Sequence, residues 1–75
     1  MDICKKLGIK IRYYRKIRNL TQENLSEKTG LDRTYISYIE RGKKNLSLKS
    51  IEKISIALNV TEKELFDFEN IKEEN

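Results

Sequence analysis

In the segment LDRTYISYIERGKKNLS, residues 31–47, Arg33, Thr34, Ser37, Tyr38 and Arg41 recur at helical spacing, and Lys43, Lys44 and Asn45 follow at once. These side chains share one chemistry. An arginine fork matches O6 and N7 of guanine, and a Thr or Ser hydroxyl bonds to several base edges while the Thr methyl meets a thymine methyl. Arginine and lysine neutralise phosphates, and the backbone N–H groups at a helix start accept an oxyanion. An ordinary solvated helix surface favours Glu, Lys, Ala and Gln, the good helix formers. The pattern therefore points to a surface that reads duplex nucleic acid. Plain solubility is the bland explanation of a cationic loop, and it weakens here because the loop adjoins so unusual a face.

The element that carries this face must also be held in place. At about 100° per residue, Tyr35, Ile36 and Ile39 fall in one arc of roughly 100°. Arg33, Thr34, Ser37, Tyr38 and Arg41 take the opposite side, and Glu40 lies at the edge beside Ile36. Four places repeat one pattern: an apolar residue, a capping residue, three others, then an apolar residue. They are Leu20-Thr21 to Leu25, Leu31-Asp32 to Ile36, Leu46-Ser47 to Ile51 and Val60-Thr61 to Leu65. Each is an N-cap with hydrophobic-staple spacing, and Thr61 with Glu64 adds a capping box. Ile3, Leu7, Ile11, Tyr14 and Ile17 form an earlier apolar stripe at steps of three and four. The expectation is an all-α chain with helices at about 2–18, 22–29, 33–41, 48–58 and 62–68. Gly30 and Gly42 stop the second and third. The short glycine turn between those two gives the layout of a helix-turn-helix at about 22–41.

Composition bounds the rest. Seventy-five residues make one small domain, expected over 1–68 with a disordered acidic tail over 69–75. Residues 1–60 hold 14 Lys/Arg against 6 Asp/Glu, while residues 61–75 hold 2 against 6. A basic body fits a polyanion partner. The single cysteine, Cys4, and the absence of histidine exclude an internal disulfide and a zinc site; Cys4 reads as a spectator thiol. No metal or other cofactor is expected. No apolar run nears the roughly 18 residues of a membrane span, and no signal-peptide core is present. The expected compartment is the cytoplasm. Without histidine, a glycine-rich phosphate loop or a paired-carboxylate cleft, the chain is not expected to be an enzyme.

The stretches IRYYRKIRNLTQENLS, GLDRTYISYIERGKKNLSL and SIEKISIALNVTEKELF resemble the Xre-type, lambda-repressor-like helix-turn-helix family, from about Leu7 to Phe66. Within it, RTYIS and the ERG and NLS segments look like the controller proteins of restriction–modification systems. The resemblance implies a compact five-helix DNA-binding domain that sets its third helix in the major groove. It assigns Arg33, Thr34 and Tyr35 to base reading, with Ser37 nearby, and Gln22, Arg41, Lys44, Asn45 and Ser47 to the DNA backbone. Tyr38 and Lys43 join the backbone set by position. Gln22 could equally brace the third helix. Arg15 and Glu40 match a paired arginine and acid that lock the first helix to the third. Tyr35 is left open, since its wheel position is core-facing and its implied role is not. Lys44 stands where controller proteins often carry arginine, and lysine offers no bidentate fork.

The resemblance also implies a homodimer on palindromic operators of double-stranded DNA near its own promoter, with RNA polymerase as a further partner. Candidate interface residues are Leu58, Val60, Leu65, Phe66 and Phe68. For Leu58, Val60 and Leu65 the core is the favoured reading. Phe66 and Phe68 cannot share one side of a short helix, which leaves one for a partner. Alternatives are a phage-type repressor, an antitoxin-like autoregulator, or a protein-interaction module that keeps the fold without DNA.

Overall fold

The structure, a computed structural model, describes residues 1–69 and 71. Among them are five helices and no strand: α1 (Ile3–Ile17), α2 (Gln22–Thr29), α3 (Arg33–Glu40), α4 (Leu48–Leu58) and α5 (Glu62–Leu65). No helix of the described residues is long and apolar enough to cross a membrane.

Each start follows from local chemistry. Thr21, Asp32, Ser47 and Thr61 each accept a backbone N–H from the first turn they precede. The residue four beyond each cap (Leu25, Ile36, Ile51 and Leu65) is buried, and the residue before each is packed against the core. Capping and staple thus act together: one satisfies an orphan donor, the other fixes the angle at which the chain enters. Asp2 caps α1 through Lys5 N at 2.9 Å. Thr21 and Asn24 form a second capping box, with asparagine in the place usual for Glu or Gln. Gly30 closes α2 at φ 75°, and Asn59 closes α4 in the left-handed region at φ 56°. The Arg18 guanidinium donates to Leu58 O (2.8 Å) and Asn59 O (3.3 Å). A cation there satisfies orphan carbonyls at the negative end of α4.

The core is Leu7, Ile11, Leu25, Ile36, Ile39, Ile51, Ile54, Leu58 and Leu65. Every helix contributes to it, so no helix is stable apart from the others. Gly8 marks where α1 crosses α3. A Cβ there would lie 2.4 Å from Ile39 O and 2.8 Å from Glu40 O, so only glycine permits this approach.

Two expectations change. The stripe of α1 is buried only in its middle. Ile3 and Ile17 are exposed, because a 15-residue helix of about 22 Å runs past the crossing on both sides. The fifth helix stops at Leu65, not residue 68, with Phe66 as its C-cap. Beyond that point helical spacing no longer applies. Phe66 and Phe68 therefore meet edge to face at 5.9 Å between ring centres, where continued helix would have parted them. Of the tail expected at 69–75, residues 70 and 72–75 lie outside the described residues.

Candidate nucleic-acid interface

Helix α3 presents two faces. Ile36 and Ile39 are fully buried against α1 and α2. Arg33 and Thr34 are exposed in the first turn, Ser37 is half-buried and Tyr38 and Arg41 are exposed. The polar residues thus lie together on the outward side, with Arg33 and Thr34 at its N-terminal end.

A buried polar network fixes the orientation of that face. Arg15 Nε and Nη2 donate to Glu40 Oε2 (2.6 Å) and Oε1 (3.0 Å), a bidentate fork that spans α1 and α3. Arg15 Nη1 also donates to Leu20 O at 2.7 Å. Gln22 Nε2 donates to Glu40 Oε1 at 3.1 Å, which brings in the start of α2. Arg15 and Glu40 are each only 9% exposed. Three helices therefore meet at one carboxylate, and both helices of the helix-turn-helix are tied to it. Gln22, half-buried, braces α3.

Tyr35 does two things at once. Its ring packs against the core, while its hydroxyl reaches the exterior and donates to Asn45 O at 3.4 Å. The wheel position was right for the ring and uninformative about the oxygen, which sits several ångströms further out. Asn45 is held from the other side as well, since Cys4 Sγ donates to its Oδ1 at 2.9 Å. Cys4 is therefore no spectator: it ties α1 to the loop. Nothing in the sequence shows this contact between residues 41 positions apart.

The loop after α3 turns at Gly42, φ 71°, where a Cβ would meet Lys5 Cα at 2.7 Å. Lys43 N donates to Tyr38 O at 2.9 Å and closes the turn. Lys43, Lys44 and Asn45 are exposed beside the start of α4. Ser47 caps that helix, and its hydroxyl also donates to Ser50 Oγ at 3.0 Å. The structure thus gathers Arg33, Thr34, Ser37, Tyr38, Arg41, Lys43, Lys44 and Asn45 on one side of the domain. Gln22 and Ser47 stand at its edge, each engaged within the fold.

The dimer candidates divide. Leu58 and Leu65 are fully buried within the protomer and cannot face a partner. Val60 and Phe68 are half-buried against the core, and Phe66 is exposed. Leu48 and Ile56 are 85% and 73% exposed on α4, yet neither was among the candidates. Both fall outside the arc of Ile51, Ile54 and Leu58 on a helical wheel, so the pattern that marks the core also marks them as outward. Leu48 and Phe66 flank one shallow cleft with Ile51 at its base.

This arrangement defines a helix-turn-helix protein, and the helix-turn-helix family model matches residues 11–65. The chain belongs to that family. Within it, similarity runs to restriction–modification controller proteins. The chain is 52% identical over 65 residues to the control protein C.BamHI of Bacillus amyloliquefaciens, covering 85% of this chain and 80% of that one. The crystal structure of the controller protein C.AhdI from Aeromonas hydrophila superposes with a TM-score of 0.82 at 41% identity, covering 84% and 96%. The controller protein C.Esp1396I, solved as a tetramer on its natural 35 base-pair operator, superposes at 0.80 with 40% identity, covering 89% and 88%.

Proposed function

We propose that this chain is a homodimeric, sequence-specific DNA-binding regulator of transcription, of the restriction–modification controller type, acting by binding and not by catalysis. The observation that carries the reading is the outward face of α3, continuous with a cationic loop and locked from behind by the Arg15–Glu40–Gln22 network. In this reading α3 enters the major groove. Arg33, Thr34 and Ser37 meet base edges, and the Tyr35 hydroxyl follows if it leaves Asn45. Arg41, Lys43, Lys44 and Asn45 meet phosphates, with Gln22 and Ser47 at the margin and the Tyr38 ring behind Arg41 and Lys44. The domain spans 1–68. The cytoplasm is its compartment, and RNA polymerase is the machinery it recruits or blocks.

A single module of this size buries about 600–1,000 Å² on DNA, too little for strong specificity alone. Two-fold pairing doubles the contact and places half-sites about one helical turn apart. The pairing face in this reading is built from Leu48 and Ile56 of α4 with Phe66, exposed apolar side chains of which Leu48 and Phe66 line one cleft. Ile56→Glu would put two charges into that interface. Sedimentation should then show a monomer at concentrations where the parent chain is a dimer. An unchanged dimer would move the interface elsewhere.

Fluorescence anisotropy decides the main reading. The duplex is the DNA immediately upstream of the chain's own reading frame, with a scrambled duplex of equal composition as competitor, at moderate salt. Specific binding at least about 1,000-fold tighter than to the scramble is expected for a regulator of this kind. Equal affinity for both duplexes would end the proposal.

A further inference from the structure

Tyr38 was grouped with the DNA-backbone residues by its place on the wheel, but its surroundings suggest a different job. Arg41 Cζ lies 5.0 Å from the Tyr38 ring centre and Lys44 Nζ lies 5.9 Å from it. Both fall within the range at which a cation is attracted by an aromatic face. Among the described residues, neither cation pairs with a carboxylate: the ion pairs join Arg15 to Glu40 and Lys49 to Glu52. The nearest acid in sequence, Glu40, is taken up by Arg15 and Gln22. Two like charges therefore lie near one exposed ring, and neither is paired with a carboxylate of the described residues. The backbone builds this arrangement. Gly42 in the left-handed region and the bond from Lys43 N to Tyr38 O return the chain over the last turn of α3, which places residue 44 near residue 38.

We propose that Tyr38 is a positioning residue for DNA binding: its ring is the platform that pre-orders Arg41 and Lys44 as a two-cation clamp for the DNA phosphates. This rests on the DNA-binding reading above. Long cationic side chains lose rotamer freedom when they bind, and a platform that orders them beforehand lowers that cost. It also explains how Lys44 works without a guanidinium fork. The ring fixes its position, which a flexible ammonium does not do for itself. The hydroxyl of Tyr38 has no part in this, so Phe should serve as well as Tyr.

The test uses the full chain and anisotropy titrations over a range of salt, with the upstream duplex and the scrambled duplex as probes. Tyr38→Phe should bind both within about twofold of the parent, since the ring that attracts the cations remains. Tyr38→Leu should bind both duplexes more weakly by about 5- to 30-fold for each subunit engaged, because two exposed cation–ring contacts per subunit are lost. Its salt dependence should be unchanged, because both charges are still present. Arg41→Gln with Lys44→Gln should flatten the slope by about two phosphate equivalents per subunit, about four for the dimer. In that double-substituted background Tyr38→Leu should have no further effect. An equal loss in Tyr38→Phe would overturn the platform in favour of a hydroxyl contact. A Tyr38→Leu loss that persists in the double-substituted background would reduce Tyr38 to a structural residue. If the parent chain itself binds neither duplex, the DNA-binding reading fails first, and the outcome is distinct from either of these.

Discussion

Glu40→Gln tests whether the buried network holds the reading helix in place. The substitution keeps the size of the side chain and removes its charge. Glu40 accepts three bonds, two from Arg15 and one from Gln22. A glutamine retains one oxygen and turns an NH2 group toward the Arg15 fork. The guanidinium is then a buried cation without an anion. Removing one member of a buried pair costs about 3–5 kcal/mol. Here Arg15 keeps its bond to Leu20 O, and its side chain is 11% exposed. The expected loss is therefore about 2–4 kcal/mol, below the full range for a severed pair. A chain of this length has total stability of only about 4–11 kcal/mol, so the loss is a large share of it. Urea unfolding followed by circular dichroism, at one fixed protein concentration, reads it directly. Arg15→Met should lose a similar amount. The double variant Arg15→Met with Glu40→Gln should recover part of the loss, since no buried charge is then left alone. A Glu40→Gln protein within about 0.5 kcal/mol of the parent, the range of a neutral surface change, would refute the reasoning. Strict additivity in the double variant would do the same.

Other outcomes follow from the same geometry. Gly8→Ala gains helix propensity of up to about 1 kcal/mol, yet its Cβ meets backbone oxygens that cannot rotate away. Overpacking of about 1–3 kcal/mol should prevail, and a rise in melting temperature would contradict the close crossing. Arg33→Ala should lose about 1–3 kcal/mol of discrimination at one position of the operator, read by titrating single-base variants of the upstream duplex. Lys43→Gln should weaken binding to all sequences alike and flatten the salt slope by about 1.8 for the dimer, about 0.9 for each subunit. The Glu64 carboxyl is held below its ordinary value of 4.5, first by the Thr61 backbone N–H and then by the Thr61 hydroxyl. Its folded value is the lower one, so its contribution is present above pH 4.5 and fades as pH falls through the folded value. Glu64→Gln should therefore show a smaller stability loss on acidification than the parent, in unfolding curves taken between pH 6 and 3.

Much of this architecture was legible along the chain because its determinants are local. An N-cap and its staple lie within six residues, so Thr21, Asp32, Ser47 and Thr61 announce four helix starts without any tertiary knowledge. The outward set of α3 was readable for a related reason: burying Ile36 and Ile39 obliges Arg33, Thr34 and Arg41 to face away. The end of α5 was not readable. Apolar residues continue to Phe68, but the helix breaks after one turn and the two phenylalanines pack on each other. Periodicity says which side a residue takes while the helix lasts, and it does not say where the helix stops.

The sequence by itself determined that there are five helices, the four caps Thr21, Asp32, Ser47 and Thr61, the outward face of α3 and the family, since each rests on neighbours within about a turn or on a pattern of types. Only the tertiary structure decided which long-range partners meet. It placed the Tyr35 hydroxyl and the Cys4 thiol on Asn45, and Gln22 on Glu40. It buried Leu58 and Leu65 and left Leu48 and Ile56 outside. It also set Arg41 and Lys44 over one ring. These contacts depend on how α1 crosses α3 at Gly8 and how the chain doubles back at Gly42, and such distances are fixed by packing between elements.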